Sequence, residues 1–185
     1  MPETSRSDDF QIRTERLWSS VAPINVGECS IEPGIPDEIV FIDRGQEPFM
    51  RLHIHYPPLE YHLKTEAKIW SGWVVVGFSG RVVLVSIHDG LQRTIALSDV
   101  TPSDSFDYFC QLFSEGDVLL ACSGRRIFRI GRQGEILWKS DELGLDGVLV
   151  HHVDSTAISG NGEWDPPGGW QPFTIALDTG LRISA

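Results

Sequence analysis

His53-Ile54-His55 followed by Glu60, in HIHYPPLE (53–60), is the stretch whose residue types and spacing best suit metal chemistry. On a β-strand, residues i and i+2 point to the same face, so the two imidazoles can converge on one ion, and the Pro57-Pro58 turn can bring Glu60 back as a third ligand. The same pair equally suits the polar face of a rim strand. His151-His152-x-Asp154 offers a second set. Neighbouring residues on a strand face opposite ways, so His151 and His152 enter one site only through a bulge, whereas His152 and Asp154 share a face. A third stretch, SGNGEWDPPGGW (159–170), sets Glu163, Trp164, Asp165 and Trp170 among Asn-Gly, Pro-Pro and Gly-Gly pairs. It holds no His, Lys or Cys for acid–base or nucleophilic work. A stiff exposed loop with aromatics and carboxylates instead suits anchoring a partner with little ordering entropy lost. Residues 160–169 are therefore expected to form a hairpin loop at the rim, with Asp165 exposed and at least one of the two tryptophans partly exposed. The competing reading packs both tryptophans under the loop as a small satellite core.

Other chemistries find no foothold. There is no GxSxG for nucleophilic hydrolysis, no GxGxxG opening a helix and no GxxxxGK[ST], so no cofactor is expected. Cys29, Cys110 and Cys122 are scattered without a CxxC and are read as reduced, buried thiols. With 15 Lys+Arg against 26 Asp+Glu the formal charge is −11, which disfavours nucleic acid and anionic membranes and permits a basic protein partner. No run nears the roughly 18 apolar residues of a membrane helix, and the start, MPETSRSDDFQIRTER, lacks the apolar stretch of a secretion signal, so a cytoplasmic location is expected.

The elements that must position these residues are strands. Short β-rich runs, among them EIVFID, FMRLHIH, WVVVGF, RVVLVSI, DVLLAC, RIFRI, VLVHHV and FTIAL, alternate with Gly, Asp, Asn and Pro from about residue 37 on, which argues an all-β fold. At 185 residues one domain spanning 1–185 is expected, opening with an irregular N-terminal segment (1–36) in which 9–20 could form a short helix. LEYHLKTEAKIW (59–70) reads as a short helix or as a turn and strand. GFSGRVVLVSIHDG (77–90) and ACSGRRIFRIGRQG (121–134) align with Gly80 and Gly124 44 residues apart, and a third, distorted unit places Gly169 in the same role. Units near 73–116, 117–155 and 156–185 follow, each with a Gly turn at HDG, RQG or DTG, where a tight hairpin calls for positive φ.

A period near 44 residues resembles that of β-propeller blades. Gly134, Glu135 and Trp138 in RIFRIGRQGEILWKSD (126–141) resemble the G-E-x-x-W end of a blade in the quinoprotein-like propellers, a resemblance covering the chain from about Trp73 on. It implies three to four consecutive antiparallel sheets, either a minimal propeller or an open propeller-like stack whose edges are covered by the N-terminal segment or another subunit. It also implies that Trp138 is buried between sheets; strand alternation adds that Ile136 shares its face and Lys139 points outward. The HIH…E spacing is similar to the first metal motif of the cupins, which implies a metal-dependent enzyme using His53, His55 and Glu60. The other functional class is a non-enzymatic protein-binding module built on Glu163, Trp164, Asp165 and Trp170. Small size and acidity add an immunity- or antitoxin-like inhibitor as its narrower form, and a homo-oligomer stays open.

Overall fold

The computed structural model describes residues 10–13, 21–27, 34–58, 60–98 and 107–183, and among them there are fifteen strands and no helix. The strands form four consecutive sheets. The first holds β1 (Phe10–Arg13), β2 (Pro23–Gly27), β3 (Glu38–Arg44) and β4 (Glu47–His55) in the order β1-β3-β4-β2. The second is the meander β5 (Glu66–Trp70), β6 (Trp73–Phe78), β7 (Arg81–Ser86) and β8 (Gln92–Ala96). The third repeats that meander with β9 (Phe109–Glu115), β10 (Val118–Ser123), β11 (Ile127–Ile130) and β12 (Ile136–Lys139). The fourth has β13 (Gly147–Val153), β14 (Ala157–Trp164) and β15 (Gly169–Ala176).

The hydrophobic pattern dictates how they stack. WVVVGF and RVVLVS are apolar at nearly every position because the second sheet is covered on both faces. Val74, Val76 and Phe78 pack with Ile42, Leu52 and Ile54 of the first sheet. The alternate residues Val75, Val82 and Leu84 pack with Phe109, Leu112 and Leu119 of the third. A further core joins Leu120, Cys122 and Ile127 of the third sheet to Val150, Ile158 and Phe173 of the fourth. Each such side chain contributes roughly 1.5–3 kcal/mol through burial. Among the described residues no core joins the fourth sheet to the first, so the arrangement is an open, propeller-like stack.

Polar side chains fasten sheet to sheet. The indole N–H of Trp70 donates to Gly116 O (3.1 Å) and that of Trp73 to Arg132 O (2.9 Å), both reaching from the second sheet to the third. Trp138 donates to Leu177 O (3.0 Å), from the third sheet to the fourth. The first strands are linked as well: Glu66 Oε2 accepts from Leu112 N–H (3.0 Å), and Gln111 both accepts from Val150 N–H (2.8 Å) and donates to Val150 O (3.2 Å).

Gly80 and Gly124 do occupy equivalent turns, each between the second and third strands of its sheet. The turns differ in size: Phe78 pairs with Arg81 across the first, and Cys122 with Ile127 across the second. Gly90, Gly134 and Gly180 of HDG, RQG and DTG all have positive φ (72°, 77° and 70°). Two expectations change, and one alternative is resolved. Phe10–Arg13 is a strand antiparallel to β3, with Phe10 and Ile12 both packed on the first core, so the spacing there is two rather than 3.6; the rest of the expected helix lies outside the described residues. In the 59–70 stretch, Glu66–Trp70 is a strand and no described residue is helical. Trp138 is only half-buried, and Ile136 is 45% exposed. Arg129 pairs with Trp138 but Ile130 with Ile136, so Leu137 is an extra residue and the two side chains fall on opposite faces, while Lys139 is exposed as expected.

Candidate functional site

The fourth sheet has one covered face and one open face, and most of the chemistry singled out above lies on or beside the open one. β14 and β15 pair without interruption from Ala157↔Ala176 to Trp164↔Gly169, which leaves only Asp165–Gly168 as the loop. The expected loop over 160–169 is thus shorter by six residues. Gly162, taken with Asn161 as a turn former, and Gly160, inside the expected loop, are strand glycines: a Cβ on Gly160 would lie 2.0 Å from Leu149 O and one on Gly162 1.8 Å from Leu143 O. They are needed for close backbone approach.

Alternation then sorts the candidate residues. Glu163 pairs with Trp170 on the outer face. The Trp170 ring reaches across to Gly147, where a Cβ would sit 3.1 Å from the indole and 3.7 Å from Glu163 Oε2. Trp170 remains 47% exposed. Trp164 is one residue out of phase, belongs to the opposite face and is half-buried, whereas Asp165 stands exposed at the loop. The fold therefore joins Glu163 with Trp170 and separates Trp164 from them.

Sequence reasoning missed Leu181 and Ile183. After the DTG turn, Ala176 N–H donates to Leu181 O (2.8 Å) and Ile183 N–H to Thr174 O (3.0 Å), beginning a fourth strand as Ser86 N–H to Leu91 O (2.8 Å) begins β8. Their places opposite Ala176 and Thr174 put both side chains on the outer face, where they are 60% and 46% exposed. The signal was LRI directly after a Gly turn. Among the described residues no strand lies along the rest of that edge of β15, and Pro172 there offers no N–H.

The bulge that the His151-His152 pair required is present. Val150 pairs with Gly160 but His152 with Ser159, leaving His151 as the extra residue. Both imidazoles are exposed, and His151 Nε2 lies 2.8 Å from Asn161 Oδ1. Asp154 does other work: one carboxylate oxygen accepts from Thr156 N–H, Thr156 Oγ1 and Ala157 N–H (2.7, 2.9 and 2.8 Å). These bonds hold its pKa below the usual carboxylate range.

His53 and His55 share a face of β4 but do not meet Glu60. His55 Nε2 lies 3.2 Å from Asn25 Oδ1, and His53 Nε2 is buried without a hydrogen-bond partner. Burial, and then the neighbouring Arg51 and His55, push the His53 pKa down. Glu60 instead pairs with Arg81 at 2.5 Å. Arg51, two residues before His53, shares its strand face and opposes a bound cation. Among the described residues no three His, Cys, Asp or Glu side chains are grouped to hold a metal. The described residues do not fit the ligand set the spacing suggested.

No family model matches the chain, and no curated protein matches it. Among solved structures it is similar to the WD40 domain of SCAP from fission yeast, at 9% identity and a TM-score of 0.41, over 77% of this chain and 41% of that one. The chain spans about two-fifths of that structure's length. No helix among the described residues is long and apolar enough to cross a membrane.

Proposed function

We propose that this chain is a non-enzymatic protein-binding module whose contact surface is the outer face of the fourth sheet, with Trp170, Glu163 and the adjoining Asp165 as principal contacts and Trp164 supporting the loop. One observation carries the reading: Trp170, Leu181 and Ile183 stand exposed on a sheet face that has no covering layer among the described residues, while the corresponding faces of the first three sheets are buried under the next sheet. A rimmed apolar patch of this kind marks an interaction surface. The partner meets the face rather than the free edge, because Pro172 denies an added strand one of its hydrogen bonds. An immunity- or antitoxin-like inhibitor is the narrower form of this reading, supported by the −11 charge.

The test is site-specific photo-crosslinking in source cells. A photoreactive residue at Leu181 should trap one discrete protein that the same residue at Leu91, exposed on the second sheet, does not trap. Equal trapping from both positions, or none from Leu181, would remove the face from consideration.

A further inference from the structure

The chemistry of the open face also selects its partner. Between Asp146 and Ile183 the sequence carries five carboxylates, Asp146, Asp154, Glu163, Asp165 and Asp178, and one permanent cation, Arg182. That cation is turned away: Arg182 lies opposite Ile175 on the covered face and donates to Glu142 O at 3.4 Å. Elsewhere the chain pairs its acids, as in Arg13–Asp43 and Arg81–Glu60, both at 2.5 Å. Asp146, Glu163 and Asp165 form no ion pair among the described residues, and Asp178 reaches Arg129 only at 3.9 Å with its side chain 90% exposed. Three of these carboxylates belong to residues that neighbour Trp170 by strand pairing or along the chain. Glu163 is the cross-strand neighbour of Trp170, Asp146 precedes the Gly147 over which the ring lies, and Asp165 opens the loop before it.

We infer that the occupant of this face is a basic protein surface that seats an arginine or lysine side chain on Trp170, among Asp146, Glu163 and Asp165, and lays apolar residues along Pro172, Leu181 and Ile183. A cation over an indole is held by the ring's quadrupole, and flanking carboxylates without partners of their own strengthen the hold. A second copy of this chain is the wrong occupant, since a two-fold contact would set the carboxylates of Glu163 and Asp165 against their own copies. The inference rests on the proposed use of this face. It goes further by fixing the sign of the partner's charge and the residue that reads it.

The experiment uses the full chain at pH 7.5. N-acetyl-arginine methylamide and its neutral citrulline isostere are titrated while the amide and indole N–H signals are followed by NMR. The Trp170 indole is assigned from Trp170→Phe. Arginine should shift the Trp170 indole and the Gly147 amide saturably, at least about threefold more tightly than citrulline. Glu163→Gln/Asp165→Asn should weaken that binding by about threefold or more, and Glu47→Gln on the first sheet should not. Equal shifts from citrulline, or arginine shifts unchanged in the double variant, would overturn the assignment. Sedimentation should show a monomer. A dimer split by Trp170→Asp would also overturn the basic partner while leaving the face an interface, whereas failure of the Leu181 crosslink would remove the face itself.

Discussion

The two faces of the fourth sheet are made by alternate residues of the same three strands and of the segment Leu181–Ile183 beside β15, yet one behaves as core and the other as surface. On the side toward the third sheet, Val148, Val150, Ile158, Phe173 and Ile175 are at most 4% exposed. On the other side Trp170, Leu181 and Ile183 are at least 46% exposed, among Asn161, Ser159, Thr174 and the two histidines. The second sheet shows no such contrast, because it is covered twice. What separates an inner from a terminal sheet is visible in the strands themselves: near-continuous apolar runs in β6 and β7, alternation in β14 and β15. The polar half of the outer face also shows that no further dry sheet–sheet core is meant to form there, which suits a separable partner.

The contrast is most severely tested by Phe173→Ala. Phe173 is 4% exposed in the core between the third and fourth sheets, so its loss should cost about 3–5 kcal/mol in urea unfolding. A loss below about 1 kcal/mol would mean that the covered face is not a core. Gly162→Ala follows, at about 3 kcal/mol, because the new Cβ would meet a backbone oxygen rather than a flexible side chain. Gly169→Ala would not report on the same thing, since a Cβ there meets nothing within 4 Å but sits at φ 58°.

These glycines also show what sequence could and could not say. The turns at Gly90, Gly134 and Gly180 were legible because a two-strand pattern brackets each, and the positive φ follows. Gly160 and Gly162 were misread, because the reason for a glycine in mid-strand is the approach of Leu149 and Leu143, which are far from obvious before the chain is folded. The bulge in β12 hid in the same way: one extra residue at Leu137 reverses Ile136, whereas the sequence did pose the bulge at His151, which leaves both histidines exposed. Glu60 was offered as an alternative metal ligand by its nearness in sequence to His55, but Arg81 competes for it from 21 residues on. Of the four proposed contact residues, exposure was expected of Asp165 and of at least one of the two tryptophans, and Trp170 is the more exposed of the two. The separation of Trp164 from Trp170 was not expected, because it depends on where β14 ends.

Trp138→Ala sharpens the comparison at its outer edge. The ring is half-buried, lies against Gly180 and bonds Leu177 O, so about 1–3 kcal/mol should be lost, less than at Phe173. A loss equal to that at Phe173 would show that the rim of the fourth sheet is as much core as its centre.

Asp154 separates structural carboxylates from docking ones. Its pKa is depressed by the hydrogen bonds it accepts from Thr156 and Ala157, so the turn is stabilised at neutral pH and loses that support as pH falls through the ordinary carboxylate range and below. Hydrogen exchange at the Thr156 and Ala157 amides should therefore gain an excess over the intrinsic rate as pH is lowered from 5 to 3, and Asp154→Asn should remove that pH dependence. Exchange that tracks the intrinsic rate throughout would return Asp154 to the same class as Glu163 and Asp165.

The smallest expected change in stability belongs to Trp170→Ala, and its smallness is the point. The ring covers Gly147 and shields part of Glu163, but nearly half of it faces solvent and nothing is packed above it among the described residues, so removing it should alter unfolding by less than about 1 kcal/mol. Binding should respond differently. If the indole seats a cationic side chain, its removal costs a partner about 2 kcal/mol or more, a loss of thirtyfold in affinity, while the protein stays as folded as before. Phe173→Ala and Trp170→Ala thus form a crossed pair from one strand: the first should damage stability, and the second should damage association alone. A Trp170→Ala protein that unfolds as readily as the Phe173 variant would show that the indole is the lid of a small core over Gly147, and the outer face would then lose its anchor.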